Sequence, residues 1–349
     1  MGILIAGYYG YRNWGDEGSL ATLLQVLPRE SVCALSGDPA FTEATYGIRA
    51  LPRMEIRAVR RVVHESDALI LGGGSLLQDA TSLRSLLYYL ALIRWGLQAH
   101  GRVLLVGQGI GPLRRRIGQR LAARLLRRVP FLSVRDADSA RLLERLGVAG
   151  ATVDADLTWA LAPQPAHTAL AAEARWVGLT PRLWGDAPAK QAFADLCRRL
   201  HADGYRALLI PMQESQDRAL CEAIAAETGA HMLPPPQHPA QLLGIMAQLE
   251  AMVAMRLHGA IFAASAGVPV LCVSYDPKVD ALAAQLGTPT MPLHALDAGL
   301  AEAWTAFPHT ALRARLQQTV PALQQAAHRL LARVQEFTKP FSEPVQGIL

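Results

Sequence analysis

The stretch "AMVAMRLHGAIFAASAGVPVLCVSYDPK", residues 251–278, contains a complete strand–helix–strand pattern. A short apolar run ends at Arg256, a helical apolar segment follows at about 258–266, and a second short apolar run covers about 269–273. Short apolar runs that alternate with a helix are typical of a βαβ unit in a parallel sheet. The stretch therefore predicts an α/β fold for this part of the chain.

The same alternation extends over most of the chain. In the first half we predict strands near 2–7, 31–35, 68–72, 103–107, 131–134 and 151–153, and helices near 16–27, 55–64, 84–99, 114–128 and 136–146. In the second half we predict strands near 175–180, 206–211, 251–254 and 269–273, and helices near 188–203, 216–229, 239–249, 258–266 and 277–286. A long helical pattern at about 310–337 follows.

The chain length favours two domains, because 349 residues exceed the size at which a single hydrophobic core usually stops growing. The expected fold is α/β, with two doubly wound Rossmann-like domains that face each other across a cleft. The predicted parts are an N-terminal domain at 1–160, a proline-containing linker at 161–175, a C-terminal domain at 176–309, and a C-terminal helix and tail at 310–349 that packs back across the domain junction.

The composition argues against several classes of protein. Hydrophobic residues make up 51% and charged residues 18%, which does not fit a disordered chain. The most apolar helical segment, "SLLYYLALIRWGLQ", is interrupted by Arg94 and fits a buried helix better than a membrane span. The first residues resemble a strand and not a signal peptide, so we expect a cytoplasmic enzyme. The four cysteines are far apart and suit core thiols, and no metal site is expected.

The positive charge is concentrated in one region. Residues 80–135 contain eleven arginines and no Asp or Glu. Within this region a predicted helix at 114–128 carries arginines 116, 120 and 124 on one face, and leucine or isoleucine at 113, 117, 121 and 125 on another. This basic helix fits either peripheral contact with an anionic membrane, at its inner face, or an ordinary solvated surface. Nucleic acid is not expected as a partner, because no nucleic-acid module accompanies the arginines.

Ligands of doubly wound sheets bind beyond the carboxyl ends of the strands, so the loops there are the candidate sites. The first such loop, "GYYGYRNWGDEG" at 7–18, offers Asn13, Asp16 and Glu17 beside tyrosines and a tryptophan, a composition suited to sugars. A helix-dipole function for one carboxylate is the alternative. The third predicted strand ends in "GGGSLLQD", whose members Gly73, Gly74, Gln78 and Asp79 are further candidate residues of a cleft at the strand ends.

The candidate cations also follow strands. Arg135 ends the fifth strand, where the alternatives are an ion pair with Asp136 or Asp138 and a ligand anion. Arg256 and His258 follow the strand at 251–254. Gly259 then begins an apolar helix, whose N-terminal N–H groups favour an anion. One strand later comes Lys278, one of three lysines in a chain with 31 arginines. Together these residues predict a cationic pocket for a small, highly charged ligand.

The sequence resembles the polysaccharide pyruvyl transferase family, in particular its CsaB type. The similarity is carried, in family order, by "NWGDEG", "LILGGGSLLQD", "VGQGIGP", "SVRDADS", "VDADLTW", "MRLHGAIFAASAGVPV" and "YDPKV". The resemblance implies a GT-B-like fold, no cofactor, and phosphoenolpyruvate as co-substrate. It implies transfer of pyruvate as a 4,6-ketal onto N-acetylmannosamine of a lipid-linked cell-wall precursor, which serves S-layer anchoring.

Carried over by motif, the resemblance makes Arg135, Arg256, Lys278 and Gly259 donor-binding residues and His258 the proton donor. It makes the C-terminal domain the donor side and the N-terminal domain the acceptor side. The acceptor-binding set is then Asn13, Asp16, Glu17, Gly73, Gly74, Gln78 and Asp79. Protonation of the methylene carbon of phosphoenolpyruvate needs an acid that titrates near neutrality. Histidine is the amino acid whose side chain ordinarily does so. Two alternatives remain open at this stage. One is a GT-B glycosyltransferase that uses a nucleotide sugar, and the other is a non-enzymatic protein that binds anionic glycans or lipid phosphates.

Overall fold

The structure, a computed structural model, describes residues 2–80, 82–165, 170–185 and 188–339, without the side chains of 297 and 298. Residues 166–169 of the predicted linker and 340–349 of the predicted C-terminal segment lie outside the described residues. The chain divides into two compact units. Unit 1 comprises the described residues of Met1–Tyr11, Asp16–Leu161 and Gln325–Leu349, and unit 2 comprises those of Arg12–Gly15 and Ala162–Gln324.

Unit 1 is built on a seven-stranded parallel sheet with helices between the strands. The strands are β1 Ile3–Tyr9, β2 Val32–Ser36, β3 Arg49–Pro52, β4 Ala68–Gly72, β5 Val103–Gln108, β6 Phe131–Val134 and β7 Thr152–Val153. The helices are α1 Trp14–Leu23, α2 Pro39–Tyr46, α3 Ile56–Glu65, α4 Leu83–Ala99, α5 Arg116–Leu126 and α6 Ala137–Arg145. The central strands are continuous apolar runs because helices bury them on both faces.

The strand order in unit 1 is β3-β2-β1-β4-β5-β6-β7. The chain therefore winds outward in one direction from β1 and, after β3, returns to the other side of β1 with β4. The connection after β1 leads to β2 on one side and the connection after β4 leads to β5 on the other, so this is the topological switch point where doubly wound sheets bind ligands.

Unit 2 contains a six-stranded parallel sheet of the same kind. The strands are β8 Arg175–Thr180, β9 Tyr205–Leu209, β10 His231–Met232, β11 Ala251–Ala254, β12 Val270–Ser274 and β13 Thr290–Pro292. The helices are α7 Ala189–Ala202, α8 Glu214–Thr228, α9 Pro239–Met246, α10 Leu257–Ser265, α11 Pro277–Leu286, α12 Leu296–Thr305 and α13 His309–Thr338. The order β10-β9-β8-β11-β12-β13 places the switch point between β8 and β11.

These two sheets confirm the predicted fold class of two doubly wound, parallel-sheet α/β domains. Five elements were not predicted: α2, β3, β10, β13 and α12. Three of them are strands of two to four residues at or beside the edge of a sheet, where a short run leaves little periodicity to detect. The other predicted strands and helices are present, with ends shifted by a few residues.

Helix α5 buries a face of small residues and leaves two of its large apolar residues exposed. The apolar residues Ile117 and Leu121 are 59% and 36% exposed. The residues that face the core include the small residues Gly118 and Ala122. An added Cβ at Gly118 would lie 2.9 Å from Leu86 of α4, so close packing against α4 selects the small face of α5 for burial. The bulky apolar residues are left beside the exposed arginines.

Two segments belong to a unit that is distant from them in sequence. Residues Arg12–Gly15 are part of unit 2, where Asn13 forms an isolated antiparallel bridge with Gln213. The end of α13 belongs to unit 1, where Arg333 forms an ion pair with Asp154 at 3.0 Å.

Candidate active site

At the switch point of unit 1, the loop after β1 touches the loop after β4. Asp16 follows β1 and is 9% exposed, and Gly74 follows β4 with φ of +71°. An added Cβ at Gly74 would lie 2.6 Å from Asp16 Oδ1. Only glycine allows both this backbone conformation and this approach, so the glycine turn positions the Asp16 carboxylate at the switch point.

The glycine turn is held from the neighbouring strand. The side-chain amide of Gln108, at the end of β5, donates to Gly73 O at 2.5 Å and to Leu71 O at 3.1 Å. Gln108 is fully buried. The glutamine within the predicted "VGQGIGP" strand end therefore shapes the turn after β4.

Arg135, at the end of β6, lies over the same edge of the sheet. Its guanidinium donates to Asp156 at 3.1 Å and to Ser75 Oγ at 3.0 Å, and its Nε lies 3.4 Å from Asp136. An added Cβ at Gly109 would lie 2.8 Å from Arg135 Nη2. The sequence prediction had considered Asp136 as an ion-pair partner, but the structure adds Asp156 as the nearer one.

Two predicted acceptor-binding carboxylates have structural contacts within unit 1. Glu17 is fully buried and accepts hydrogen bonds from Gly10 N and Tyr46 Oη, both at 2.9 Å. Burial and the Glu17 carboxylate raise the pKa of Tyr46 well above its ordinary value. Asp79 accepts from the backbone N–H groups of Arg114 and Arg115. Both carboxylates thus fix loops, and Gln78 lies half-buried next to Asp79.

In unit 2, Arg256 follows β11 and pairs with a carboxylate. Its Nε and Nη2 donate to the two oxygens of Asp217 at 3.0 and 2.5 Å. Asp217, in the first turn of α8, is fully buried and also accepts from Gln213 N at 2.9 Å. The outer Nη1 makes a longer contact, 3.5 Å to Gln213 Oε1. A bidentate ion pair with Asp217 therefore fixes the orientation of the Arg256 side chain.

His258 is the second residue of α10 and is half-buried. Its ring lies against Gly15, where an added Cβ would be 1.9 Å from Nδ1, and 6.4 Å from the ring of Phe262 between centroids. The next residue, Gly259, allows the start of α10 to approach β8, since an added Cβ there would lie 2.9 Å from Thr180 Oγ1. Helix α10 thus begins directly at the switch point of unit 2, and it starts at Leu257, one residue earlier than the predicted range of 258–266.

The loop after β12 provides the last predicted cation. Lys278 Nζ lies 3.4 Å from Asp276, which also accepts from the backbone N–H of Lys278 as the N-cap of α11. In the same loop, Tyr275 Oη accepts a hydrogen bond from Arg182 at 2.8 Å. Arg182 comes two residues after β8, so it belongs to the same carboxyl edge of the sheet.

Within the described part of the chain, no group of three His, Cys, Asp or Glu side chains is arranged to hold a metal ion. None of the described helices has both the length and the apolar character that a membrane crossing requires.

A family model for polysaccharide pyruvyl transferases matches residues 13–277 of the chain. The chain belongs to the polysaccharide pyruvyl transferase family. As a member it is an enzyme that transfers pyruvate to polysaccharide. The match begins at Asn13 and ends one residue before Lys278. No curated protein sequence matched the chain.

Solved structures with a similar fold are distant in sequence. A candidate UDP-N-acetylglucosamine 2-epimerase from Listeria monocytogenes has a TM-score of 0.68 at 14% identity, over 100% of both chains. MnaA of S. aureus, solved with UDP, has a TM-score of 0.68 at 10% identity, also over 100% of both chains. Anabaena HepE, solved with UDP-glucose, has a TM-score of 0.58 at 13% identity, over 98% of this chain and 99% of that one. These neighbours belong to the GT-B glycosyltransferase and epimerase fold, and at such identities they show the fold alone.

The structure groups the predicted residues of this pyruvyl transferase into two sets. Asp16, Gly73, Gly74 and Arg135 lie along the carboxyl edge of unit 1, while Arg256, His258, Gly259 and Lys278 lie along that of unit 2. Sequence reasoning did not identify Asp156 as a partner of Arg135, and it did not select Arg182. The rule that ligands bind at strand ends would have found Arg182, which directly follows a predicted strand.

Proposed function

We propose that this pyruvyl transferase takes its pyruvate from phosphoenolpyruvate and forms a 4,6-ketal on an amino sugar, N-acetylmannosamine. The observation that carries the proposal is the position of Arg256 and His258 at the switch point of unit 2, at the N-terminus of α10. Backbone N–H groups at a helix N-terminus attract anions. This arrangement supports His258 as the proton donor beside a site suited to a phosphate or carboxylate.

Phosphoenolpyruvate carries about three negative charges near neutral pH, because the second phosphate pKa is about 6. Arg256 and Lys278 would bind it in unit 2, together with the N–H groups around Gly259. Arg135 of unit 1 is the third cation assigned to the donor. Each of these three side chains has a carboxylate neighbour, which fixes its position and reduces the net charge of the site.

In the proposed reaction, His258 protonates the methylene carbon of phosphoenolpyruvate. C2 then becomes an oxocarbenium-like centre, to which one sugar hydroxyl adds with loss of its proton. The C–O bond to phosphate breaks, and the second hydroxyl adds to the same carbon and loses its proton. Of the two protons released, one restores His258 and the other leaves with hydrogen phosphate, so the reaction balances.

The acceptor-binding set is proposed to centre on Asp16. This carboxylate lies at the switch point of unit 1, beside the turn formed by Gly73 and Gly74. Asn13 and Gln78 supply amide groups suited to sugar hydroxyls. Glu17 and Asp79 are proposed to contribute by holding the loops that carry the acceptor site, since the two carboxylates already accept hydrogen bonds from backbone N–H groups.

We propose further that the enzyme is of the CsaB type, acts in the cytoplasm at the inner face of the membrane, and modifies a lipid-linked cell-wall precursor used for S-layer anchoring. Helix α5 supports contact with anionic lipid. Its exposed apolar residues Ile117 and Leu121 alternate along the chain with exposed arginines. In addition, residues 80–135 contain no Asp or Glu. Such a surface combines apolar insertion with attraction to anionic headgroups.

The decisive experiment measures phosphate release from phosphoenolpyruvate with a lipid-linked oligosaccharide that ends in N-acetylmannosamine, and mass spectrometry of the product. Calorimetry measures donor binding in parallel. We expect His258→Gln to bind phosphoenolpyruvate but lose turnover, and Arg256→Ala to lose donor affinity. Equal turnover in wild type and both variants would remove these residues from the active site.

A nucleotide-sugar glycosyltransferase is the alternative that the same assay tests. Structural neighbours of this chain were solved with UDP or UDP-glucose, although their low identity makes this weak support. Consumption of a UDP-sugar without any use of phosphoenolpyruvate would favour that alternative. A complete lack of turnover with either donor, combined with glycan binding, would favour a non-enzymatic binding protein.

A further inference from the structure

A pair of side chains joins two loops at the carboxyl edge of unit 2. Arg182 follows β8 by two residues, Tyr275 follows β12 by one, and Arg182 Nη1 donates to Tyr275 Oη at 2.8 Å. Strand β11 lies between β8 and β12 in the sheet. The pair therefore spans the end of β11, from which the chain continues to Arg256 and His258.

Arg182 differs from the other cations of this edge, because each of those has a carboxylate neighbour. Arg256 pairs with Asp217, and Lys278 has Asp276 within 3.4 Å. No carboxylate of the described residues lies within ion-pair distance of Arg182, whose partner is a phenol. Within the described part of the chain, Arg182 therefore adds an uncompensated positive charge to an edge where the neighbouring cations are compensated.

Aromatic rings flank the Arg182 guanidinium. Its central carbon lies 4.9 Å from the centroid of the Trp184 ring and 5.1 Å from that of Tyr275. The two rings are 4.6 Å apart and tilted by 47°. Cation–π contact holds the charge without using N–H groups. Apart from Nη1, no guanidinium nitrogen of Arg182 donates to an acceptor among the described residues, so a fork of N–H groups remains available for an oxyanion.

We propose that Arg182 binds the phosphate group of the donor and that Tyr275 is its positioning residue. The inference rests on the proposed function, because it assigns a further residue to the same donor site. A planar guanidinium matches phosphate oxygens with two parallel hydrogen bonds. Phosphate carries most of the donor's charge and is also the leaving group, so Arg182 stabilises both the bound donor and the departing phosphate.

The test measures the dissociation constant of phosphoenolpyruvate by calorimetry and the inhibition constant of inorganic phosphate in the turnover assay. For Arg182→Gln we expect both constants to rise at least tenfold. Tyr275→Phe keeps the ring and removes the hydroxyl, so we expect a smaller rise of a few-fold. Arg182→Lys should recover part of the affinity, because it restores charge without the planar fork.

The matched control is Arg175→Gln. Arg175 lies at the opposite end of β8, where it also contacts a tyrosine, with Nη2 donating to Tyr205 Oη at 2.5 Å and the guanidinium 4.1 Å from the ring centroid. We expect its two constants to match the wild type. Circular dichroism and melting temperature confirm that each variant is folded before binding is compared.

The outcomes separate the two levels of the proposal. If wild type does not bind phosphoenolpyruvate, the proposed function fails. If wild type binds it and folded Arg182→Gln binds it equally well, the proposed function stands and the assignment of Arg182 is overturned. Loss of acceptor affinity alone, with both donor-side constants unchanged, also overturns the assignment.

Discussion

Gly15 and His258 are packed so closely that a side chain at position 15 would occupy the space of the imidazole. An added Cβ at Gly15 would lie 1.9 Å from Nδ1 and 2.1 Å from Cγ of His258. Both residues belong to unit 2, although they are far apart in the sequence. The segment Arg12–Gly15 is fixed there by the hydrogen bond from Trp14 N to Met212 O at 2.9 Å. Gly15 thus sets the position of the proposed proton donor.

Replacing Gly15 with alanine should therefore displace the His258 ring. We expect Gly15→Ala to lower kcat for ketal formation at least 100-fold, because an acid moved by about 1 Å no longer meets the carbon that it protonates. Donor affinity should change much less, since Arg256 and Lys278 remain in place. Steady-state kinetics and calorimetry with phosphoenolpyruvate check this split.

The control for that variant is Gly299→Ala. Gly299 lies in α12 of the same unit, and an added Cβ would meet the methyl end of Met291 at 3.2 Å, a contact that a flexible side chain can relieve. We expect its kcat to match the wild type. A fully active Gly15→Ala enzyme would show that the position of His258 does not limit the reaction.

The pair formed by Arg256 and Asp217 should be essential for stability as well as for the donor site. Asp217→Asn leaves the Arg256 side chain, which is 10% exposed, without a carboxylate partner. Removing one partner of a buried ion pair costs about 3–5 kcal/mol. We expect the free energy of unfolding, measured by urea denaturation, to fall by about that amount.

The control for Asp217→Asn is Asp195→Asn, which removes a carboxylate from an ion pair with Arg198 on the exposed side of α7. Exposed pairs contribute less than about 1 kcal/mol. Equal losses of stability in the two variants would contradict the importance assigned to the buried pair.

The sequence was sufficient to predict the fold class because parallel sheets need continuous apolar strands separated by helices, and both patterns are local. It also placed Arg135, Arg256, His258 and Lys278 at strand ends for the same reason. It could not supply contacts between distant segments. The partner of Arg256 is 39 positions away and that of Arg135 is 21 positions away.

The packing of α5 shows a second limit of sequence reasoning. The sequence of α5 shows arginines on one face and leucine or isoleucine on another, but it does not tell which residues are buried. The close approach of α4 at Gly118 selects a different face, and periodicity within one helix cannot contain that information. Arg53 of unit 1 shows the same limit. Its guanidinium lies over the rings of the tyrosines at positions 8, 11, 88 and 89, which are distant from it in sequence.

The four cysteines should be unreactive in the folded enzyme. All four are free and buried, and burial raises the pKa of Cys221 and of Cys272 to about 12 and that of Cys197 to about 11. Because the thiolate is the reactive form, labelling with a thiol reagent at pH 8 should be slow until denaturant is added. Rapid labelling of any cysteine in the native enzyme would contradict this burial.

The same pKa shifts predict how stability depends on pH. A thiol with a raised pKa binds its proton more tightly in the folded state than in the unfolded state. Its contribution is therefore complete below the unfolded pKa of about 9 and is lost as pH rises toward the folded values of about 11 to 12. Urea denaturation at pH 8 and pH 10 should show lower stability at pH 10, and Cys221→Ala combined with Cys272→Ala should reduce that difference.

The exposed face of α5 should bind anionic membranes. We expect the enzyme to sediment with vesicles of phosphatidylcholine and phosphatidylglycerol but not with phosphatidylcholine alone, and less at high salt, because salt screens exposed charges. Replacing Arg116, Arg120 and Arg124 with glutamine should weaken binding roughly 100-fold, since each arginine near an anionic surface contributes about 1 kcal/mol. Ile117→Ser combined with Leu121→Ser should weaken binding without changing its salt dependence.

The matched control removes the same charge elsewhere, by replacing arginines 175, 198 and 199 of unit 2 with glutamine. If vesicle binding depends on net charge alone, this control loses as much affinity for vesicles as the α5 variant does. That result would exclude the exposed face of α5 as a specific membrane-binding surface. If the α5 variant alone loses vesicle binding, the exposed apolar and basic residues of that helix form the membrane contact. The turnover of a lipid-linked acceptor should then fall in the α5 variant while phosphoenolpyruvate affinity stays unchanged, because no α5 residue belongs to the proposed donor site.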